Sequence, residues 1–472
     1  MRTYHDPPLH ARRLGRGATA LVVLAMLATG PAGWAQGSDL VSLQVAVRPW
    51  FGPGTPLHVT ATVTNPSGSE LRDLRVTVSV HRRVRSRSDL HRALDRGPVG
   101  TPLEASSHRV DELGAGEATT VEITEDLAAR GGFYAAPDGV YPLVVTLGKA
   151  GEDVLRQART AVALVSEPPP TPLRSLLVLR VTPLPLTHPA DPDDRRSLQR
   201  LEGVHERLSR LTAAGPVAAS VSPVLLTELE MLRERAPDLT DDVIQRLREL
   251  AGEELLRTPF TNVRLPQVPD IGSTVQQELL DGAAASSRVL GQEPTGPVLP
   301  PDLAVDPASL EALRRMGVPA VVVDPSQVSG GSTLTRANPI SLQGVTAVPA
   351  DATITDRASR ARTALDVGHV MAETAMVFFE SPGRPRTLAL VLDALGPRTP
   401  ELVEAVRAAP WLRPIGPEEL GPPEAGQPAP ATAETAPPAA YLQALGRARS
   451  AVSAFESFTM PDHPDRRRMR LW

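Results

Sequence analysis

Two aspartates stand where short aliphatic runs give out: Asp302 after Val298-Leu299-Pro300-Pro301, and Asp393 after Leu388–Leu392. A pair of carboxyl groups facing one cleft is the equipment for glycoside cleavage, in which one protonates the leaving oxygen while the other attacks the sugar or activates water. Other polar residues follow apolar runs in the same way. His188 lies in Thr187-His188-Pro189-Ala190-Asp191, Asn262 in Thr258-Pro259-Phe260-Thr261-Asn262, and Asp324 closes Val318–Val323. In parallel sheets the carboxyl ends of strands gather ligands and reacting groups. Asp302 and Asp393 are therefore the candidate catalytic pair, and His188, Asn262 and Asp324 the candidate substrate-binding residues. Ser222 and Asp351 occupy similar places. The competing role for an aspartate there is to cap the next helix, which Asp302 or Asp306 could do ahead of Pro307.

Other chemistries find less to work with. His188 with Asp191, Asp193 and Asp194 could hold a hard cation, but acids broken by Pro192 read as an exposed loop. No two histidines stand four apart, so the ligand set of a metal-dependent polysaccharide deacetylase is missing. There is no G-x-S-x-G for a serine nucleophile and no glycine loop of the G-x-G-x-x-G or Walker type. No metal and no cofactor are expected.

The elements that must carry these residues alternate in type. Pro297–Asp324 reads as an apolar entry, a helix over Pro307–Met316 stopped by Gly317, and a β-branched strand over Val318–Val323. The same alternation runs through residues 175–420. Strands are expected at Ser175–Thr182, Pro216–Ser222, Glu254–Thr258, Gly344–Val348 and Arg386–Leu392, with Trp411–Ile415 as a last one. Helices are expected at Arg195–Ala214, Asp238–Ala251, Ser273–Leu290 and Asp356–Glu380. Seven or eight such units over about 250 residues, with strands apolar on both faces, predict an α/β fold of the (β/α) barrel kind.

Upstream, residues 39–166 follow a period of two, with turn clusters such as Gly52-Pro53-Gly54 and Asn65-Pro66-Ser67-Gly68. That spacing predicts an all-β, immunoglobulin-like sandwich. Within it His81–Arg96 carries six arginines. It reads as a solvated helical insertion, or as a basic patch for an anionic wall polymer or lipid headgroups. Residues 167–174, rich in proline, form a stiff linker to the barrel.

At the start, Arg12, Arg13 and Arg16 precede the apolar run Ala18–Ala28 and then Gly33-Trp34-Ala35, the pattern of a secretory signal peptide over residues 1–35. No second long apolar run follows, so membrane contact is expected to be peripheral at most. Residues 421–439 read as a disordered Pro- and Ala-rich tether and 440–472 as a helix with a basic tail. The formal charge of −5 speaks against nucleic acid as a partner, and 3% aromatic residues against a broad stacking platform. With no cysteine, neither a disulfide nor a lipidated thiol is available.

Taken together, PGTPLHVTATVTNPSGSELRDLRVTVSV, SRSDLHRAL, RTPFTNV and LPPDLAVDPASLEALRRMGVPAVVVD resemble the actinobacterial envelope proteins grouped as domain of unknown function family 6049, over most of Leu40–Leu420. More distantly, the barrel resembles glycoside hydrolase family fifty-seven. In that family a Pro-Glu after the fourth strand supplies the nucleophile and an Asp after a late strand the acid. The matching positions are Pro301-Asp302 and Asp393, and His188-Pro189 matches a family His near a Pro. Asp302 is one methylene shorter than the family's Glu, roughly 1.5 Å of reach, where a retaining pair stands about 5–5.5 Å apart. Two readings follow. One is an exported cell-envelope protein whose barrel binds a wall glycan or an envelope protein without turnover, positioned by the sandwich. The other is a glycoside hydrolase using Asp302 and Asp393.

Overall fold

The computed structural model describes residues 41–127, 133, 136–149, 154–182, 194–212, 217–252, 254–261, 264–267, 271–328 and 334–426, and a few positions between 443 and 454. The expected signal peptide, His188, Asn262 and nearly all of the expected tether and tail lie outside the described residues.

The N-terminal part runs β1 Ser42–Val47, β2 Trp50–Phe51, β3 Leu57–Thr64, β4 Leu71–Val80, helix α1 Arg87–Arg96, β5 Glu104–Leu113, β6 Ala118–Glu125, β7 Gly139–Lys149 and β8 Val154–Leu164. One sheet has the order β1-β3-β6 and the other β2-β8-β7-β4-β5. Alternation decides which face is dry: β3 buries Leu57, Val59, Ala61 and Val63 and turns the threonines and His58 outward. These residues share one core with Val76, Val78, Leu143 and Val145 of the second sheet. Strand β5 has no apolar rhythm to announce it, because it is a sheet edge with only β4 beside it, where a polar strand is stable and resists further pairing.

Helix α1 falls inside the arginine-rich run. Ser86 caps it by accepting from the Asp89 N–H at 3.1 Å, and Gly97 at φ 93° ends it. Its Leu90, Ala93 and Leu94 are buried and Arg87 is half-buried, while Arg82, Arg83, Arg85, Arg92 and Arg96 are exposed, so the insertion is a helix docked by one apolar face with its other arginines in solvent. The N-terminal part is for the same reason not all-β.

The second part continues with β9 Leu173–Val181, α2 Asp194–Thr212, β10 Ala218–Val221, α3 Pro223–Arg233, α4 Pro237–Ala251, α5 Ile271–Leu290, α6 Pro307–Arg315, β11 Ala320–Val323, β12 Ile340–Leu342, β13 Val345–Pro349, α7 Ala352–Arg360, α8 Ala364–Phe379, β14 Thr387–Asp393, α9 Thr399–Ala408, β15 Leu412–Ile415 and β16 Glu424–Ala425. Strand β9 pairs in parallel with β14, β10 and β15, and β11 pairs in parallel with β13. These ladders make half of a barrel. The strand expected over Glu254–Thr258 and the apolar entry at Pro297 are joined by single parallel bridges, Ala219 to Leu255, Arg257 to Val298 and Val298 to Val321. Pro259, Pro297, Pro300 and Pro301 lack the N–H a longer ladder needs.

The expected helix Asp356–Glu380 is two helices. Thr363 stops the chain between them by capping α8 in a reciprocal box with Asp366. Helix α3 was not expected. It occupies the short stretch after Ser222, whose hydroxyl caps it.

Strands β9, β10, β11, β13 and β14 are dry on both faces over most of their length, whereas β15 exposes Arg413 and Pro414. Leu176 and Val178 of β9, Ala218, Leu256, Leu299, Val322, Val348, Ala389 and Val391 fill the interior. Leu177, Leu179 and Val181 point the other way, into a layer with the helices. That outer layer also contains Leu90, Leu94, Val140, Ala161 and Ala163 of the N-terminal part, so the two parts share one apolar core. Helix α8 lies at the junction and is buried nearly all round, from Val367 to Phe378. Trp50 meets Trp411 edge to face at 5.9 Å across the same junction. Among the described residues no helix is long and apolar enough to cross a membrane.

Candidate functional site at the ends of the parallel strands

Alternation along β9 sets Arg180 on the face of Leu176 and Val178, at the carboxyl end of the strand. The ladders place it opposite Asp393 of β14 on one side and Ser220 of β10 on the other. Three polar residues thus stand abreast above the apolar interior. Ser220 Oγ lies 2.9 Å from Thr258 Oγ1, and Arg180 Nη1 donates to the Pro301 carbonyl at 2.7 Å. Asp302 follows that carbonyl directly. Of the two candidate carboxylates, Asp393 stands beside this guanidinium in the ladder, whereas Asp302 is tied to it only through the backbone carbonyl of its neighbour Pro301. Burial pushes the Arg180 guanidinium below its ordinary pKa, and the charge of Asp393 offsets this only in part.

Both carboxyls are already engaged. Asp302 accepts from the Ala304 N–H at 3.1 Å and meets Arg264 Nε at 3.3 Å. Asp393 accepts from the Leu395 N–H at 3.0 Å, and its carbonyl takes the Thr399 hydroxyl at 2.6 Å. Asp302 does not cap α6; Asp306 does, through the Ser309 N–H at 2.8 Å. Asp324 accepts from the Ser326 N–H at 2.8 Å, and its own N–H donates to the Leu303 carbonyl at 2.9 Å.

Leu303, next to Asp302, has φ 59°. For a residue with a Cβ that left-handed conformation costs roughly 1–2 kcal/mol. The chain keeps it because the Leu303 side chain is buried in the interior and its backbone is tied to Pro300 and Asp324. Strain held in this way beside a candidate residue is the pattern of a positioned site.

Asp351 belongs elsewhere. It caps α7 through the Ile354 N–H at 3.0 Å and accepts both arms of Arg87 from α1. Among the described residues no group of three His, Asp or Glu is placed to share a metal ion. A separate apolar cleft of about 350 Å³ is lined by Trp50, Val367, Ala405 and Glu404, with none of the strand-end residues in its wall.

Sequence reasoning passed over Arg180, Ser220 and Thr258. The available signal was parity: a lone arginine inside Leu176-Leu177-Val178-Leu179-Arg180-Val181, two residues beyond Val178, must share the face of the interior residues.

Comparison with known proteins finds a family match over part of this chain. The model of DUF6049, a family of unknown function, matches residues 18–250. That span takes in the N-terminal sheets, α1, and the chain through α4, so Arg180 and Ser220 lie within it and Asp302 and Asp393 beyond it. No curated protein matches the chain. Among solved structures there is weak similarity to the alpha-amylase AmyC from Thermotoga maritima, at 12% identity and a TM-score of 0.43 over 62% of this chain and 83% of that one. A GH57-type branching enzyme from Pyrococcus horikoshii is similar at 12% identity and a TM-score of 0.41, over 55% of this chain and 73% of that one.

Proposed function

We propose that this is an exported cell-envelope protein that binds a wall-associated glycan at the ends of its parallel strands without turning it over. The parallel pairings can be followed from β9 through β10, Leu255, Arg257, Val298, β11 and β13 to Ala350, which bridges to Ala389 of β14, and so back to β9. This supports reading the second part as a closed barrel of seven strand positions. Its mouth is then the site, and the N-terminal sheets, read as an immunoglobulin-like sandwich, hold that mouth in a fixed direction through the shared core.

The carrying observation is that the Asp302 carboxyl is committed at both oxygens, Oδ1 to the Ala304 N–H and Oδ2 to Arg264, while Asp393 gives Oδ1 to the Leu395 N–H. Cleavage needs a carboxyl free to hand its proton to the leaving oxygen, whereas binding needs only fixed polar groups. The test is retention of the purified chain on insoluble wall glycan; passage through every envelope fraction unretained would refute the reading.

A second reading, glycoside hydrolysis by Asp302 and Asp393, draws support from the link of both to Arg180, Asp393 as its ladder neighbour and Asp302 through the Pro301 carbonyl. Release of reducing ends from wall polysaccharide, abolished by Asp302→Asn, would establish it in place of the first.

A further inference from the structure

We propose that the ligand is acidic, and that Arg180 anchors a carboxylate or phosphate carried by one of its sugars. The inference rests on the glycan reading and adds the ligand's charge.

A guanidinium has five N–H donors. Among the described residues Arg180 makes one hydrogen bond, to the Pro301 carbonyl. It sits half-buried above the apolar interior, and its remaining donors are open to an incoming ligand, since none of them is among the sealed, unpartnered polar atoms. The nearby anions do not take up the remainder. Asp302 is bound to Arg264, Asp324 to the Ser326 N–H, and Asp393 gives Oδ1 to the Leu395 N–H. Burial acts against the charge of Arg180 more strongly than Asp393 supports it. An oxyanion entering the mouth would supply the missing acceptors in a charge-assisted, fork-to-fork contact, which a neutral sugar hydroxyl matches only weakly. Thr258 Oγ1, bonded to the buried Ser220 hydroxyl, adds a polar group on the β10 side of the guanidinium. Asp393, beside it in the ladder on the other side, repels the same anion. It therefore sets how tightly an acidic group is held.

The experiment is calorimetric titration of the full chain with hexagalacturonate and with maltohexaose, and of inorganic phosphate as a free anion. The acidic hexamer is expected to bind at least tenfold more tightly than the neutral one, and Arg180→Gln to erase that preference. Asp393→Asn is expected to move the other way, raising the ratio of acidic to neutral affinity several-fold. A merely structural Arg180–Asp393 contact has no such opposite signs, and thermal melts of both variants separate misfolding from lost binding. Equal affinity for the two hexamers would overturn the inference and leave the glycan reading standing. Phosphate binding that needs Arg180, with neither hexamer bound, would keep the anion site and remove the glycan. No heat from any of the three ligands would overturn both.

Discussion

Arg87 Nε donates to Glu373 Oε2 at 2.8 Å, joining two helices that lie 286 residues apart in the chain. The other face of the same guanidinium reaches both oxygens of Asp351. Glu373 is fully buried in α8 and is also met by His91 of α1 and Arg357 of α7. Burial works against the charge on Arg87, but Asp351 and Glu373 outweigh it and hold the guanidinium above its ordinary pKa. The arginine-rich insertion thus adds an ion-paired link between the N-terminal part and the helices of the second part.

Removing that arginine leaves two buried carboxylates without their main partner. Arg87→Ala should therefore destabilise the whole chain by about 3–5 kcal/mol, the usual cost of breaking a buried pair from one side. Urea unfolding measures it. A loss below about 1 kcal/mol would assign the network to the weak class of surface pairs.

Stability should also fall with acidity in two stages. Burial pushes His369 and His81 below the ordinary imidazole pKa, in His369 against an opposing hydrogen bond to the Arg159 carbonyl, so each is held neutral in the folded chain. The unfolded chain takes up protons first, so stability drops as pH falls below about 6.5. Asp351 acts later. Burial tends to raise its pKa, but Arg87 and the α7 N–H groups hold it below the ordinary value, so its contribution is lost only as pH falls past about 4. In His81→Gln/His369→Gln the slope between pH 5 and 7 should flatten while the acid limb remains. An unchanged slope would remove these two groups as its source.

What was legible in the sequence was set by how local the physics is. Period-two runs such as Leu57–Thr64 and both-faces-apolar runs such as Leu173–Val181 announce strands by themselves. The position of Asp393 at the end of β14 followed from the same patterns, whereas Asp302 follows a single bridge at Val298 rather than a strand. The contacts of those carboxyls did not, since Arg264, the Ala304 N–H and the Leu395 N–H are chosen by loop geometry. The fate of Arg87 was beyond reach for a different reason. Its acceptors lie more than 260 residues downstream, and a charge run carries no mark of which member will be buried.

The hairpin between β12 and β13 offers a gain. Gln343 and Gly344 both have positive φ, at 51° and 85°, the pattern of a two-residue turn that favours Asn-Gly over Gln-Gly. Gln343 is exposed, so its side chain has no packing to lose. Gln343→Asn should stabilise the chain by up to about 1 kcal/mol, read as a rise in the melting temperature.

Two helical glycines should respond to the same change with opposite signs. Gly203 on α2 has open space where a Cβ would stand, so Gly203→Ala should add about 0.5–1 kcal/mol through helix propensity alone. At Gly282 on α5 a Cβ would come within 2.3 Å of the Thr258 carbonyl, a backbone atom that cannot step aside. Helix α5 is already hooked to that segment. The Phe260 N–H donates to the Glu278 carbonyl at 2.9 Å, and the Thr261 N–H and hydroxyl reach the Glu278 carboxylate at 2.7 and 2.8 Å. Gly282→Ala must therefore push the Thr258–Thr261 segment away, at a cost of about 1–3 kcal/mol, and displace the Thr258 hydroxyl from Ser220. Paired melts of the two variants read the signs. A ligand titration of Gly282→Ala below its melting point reads the displacement, with weaker binding expected if Thr258 belongs to the mouth and unchanged binding if it does not.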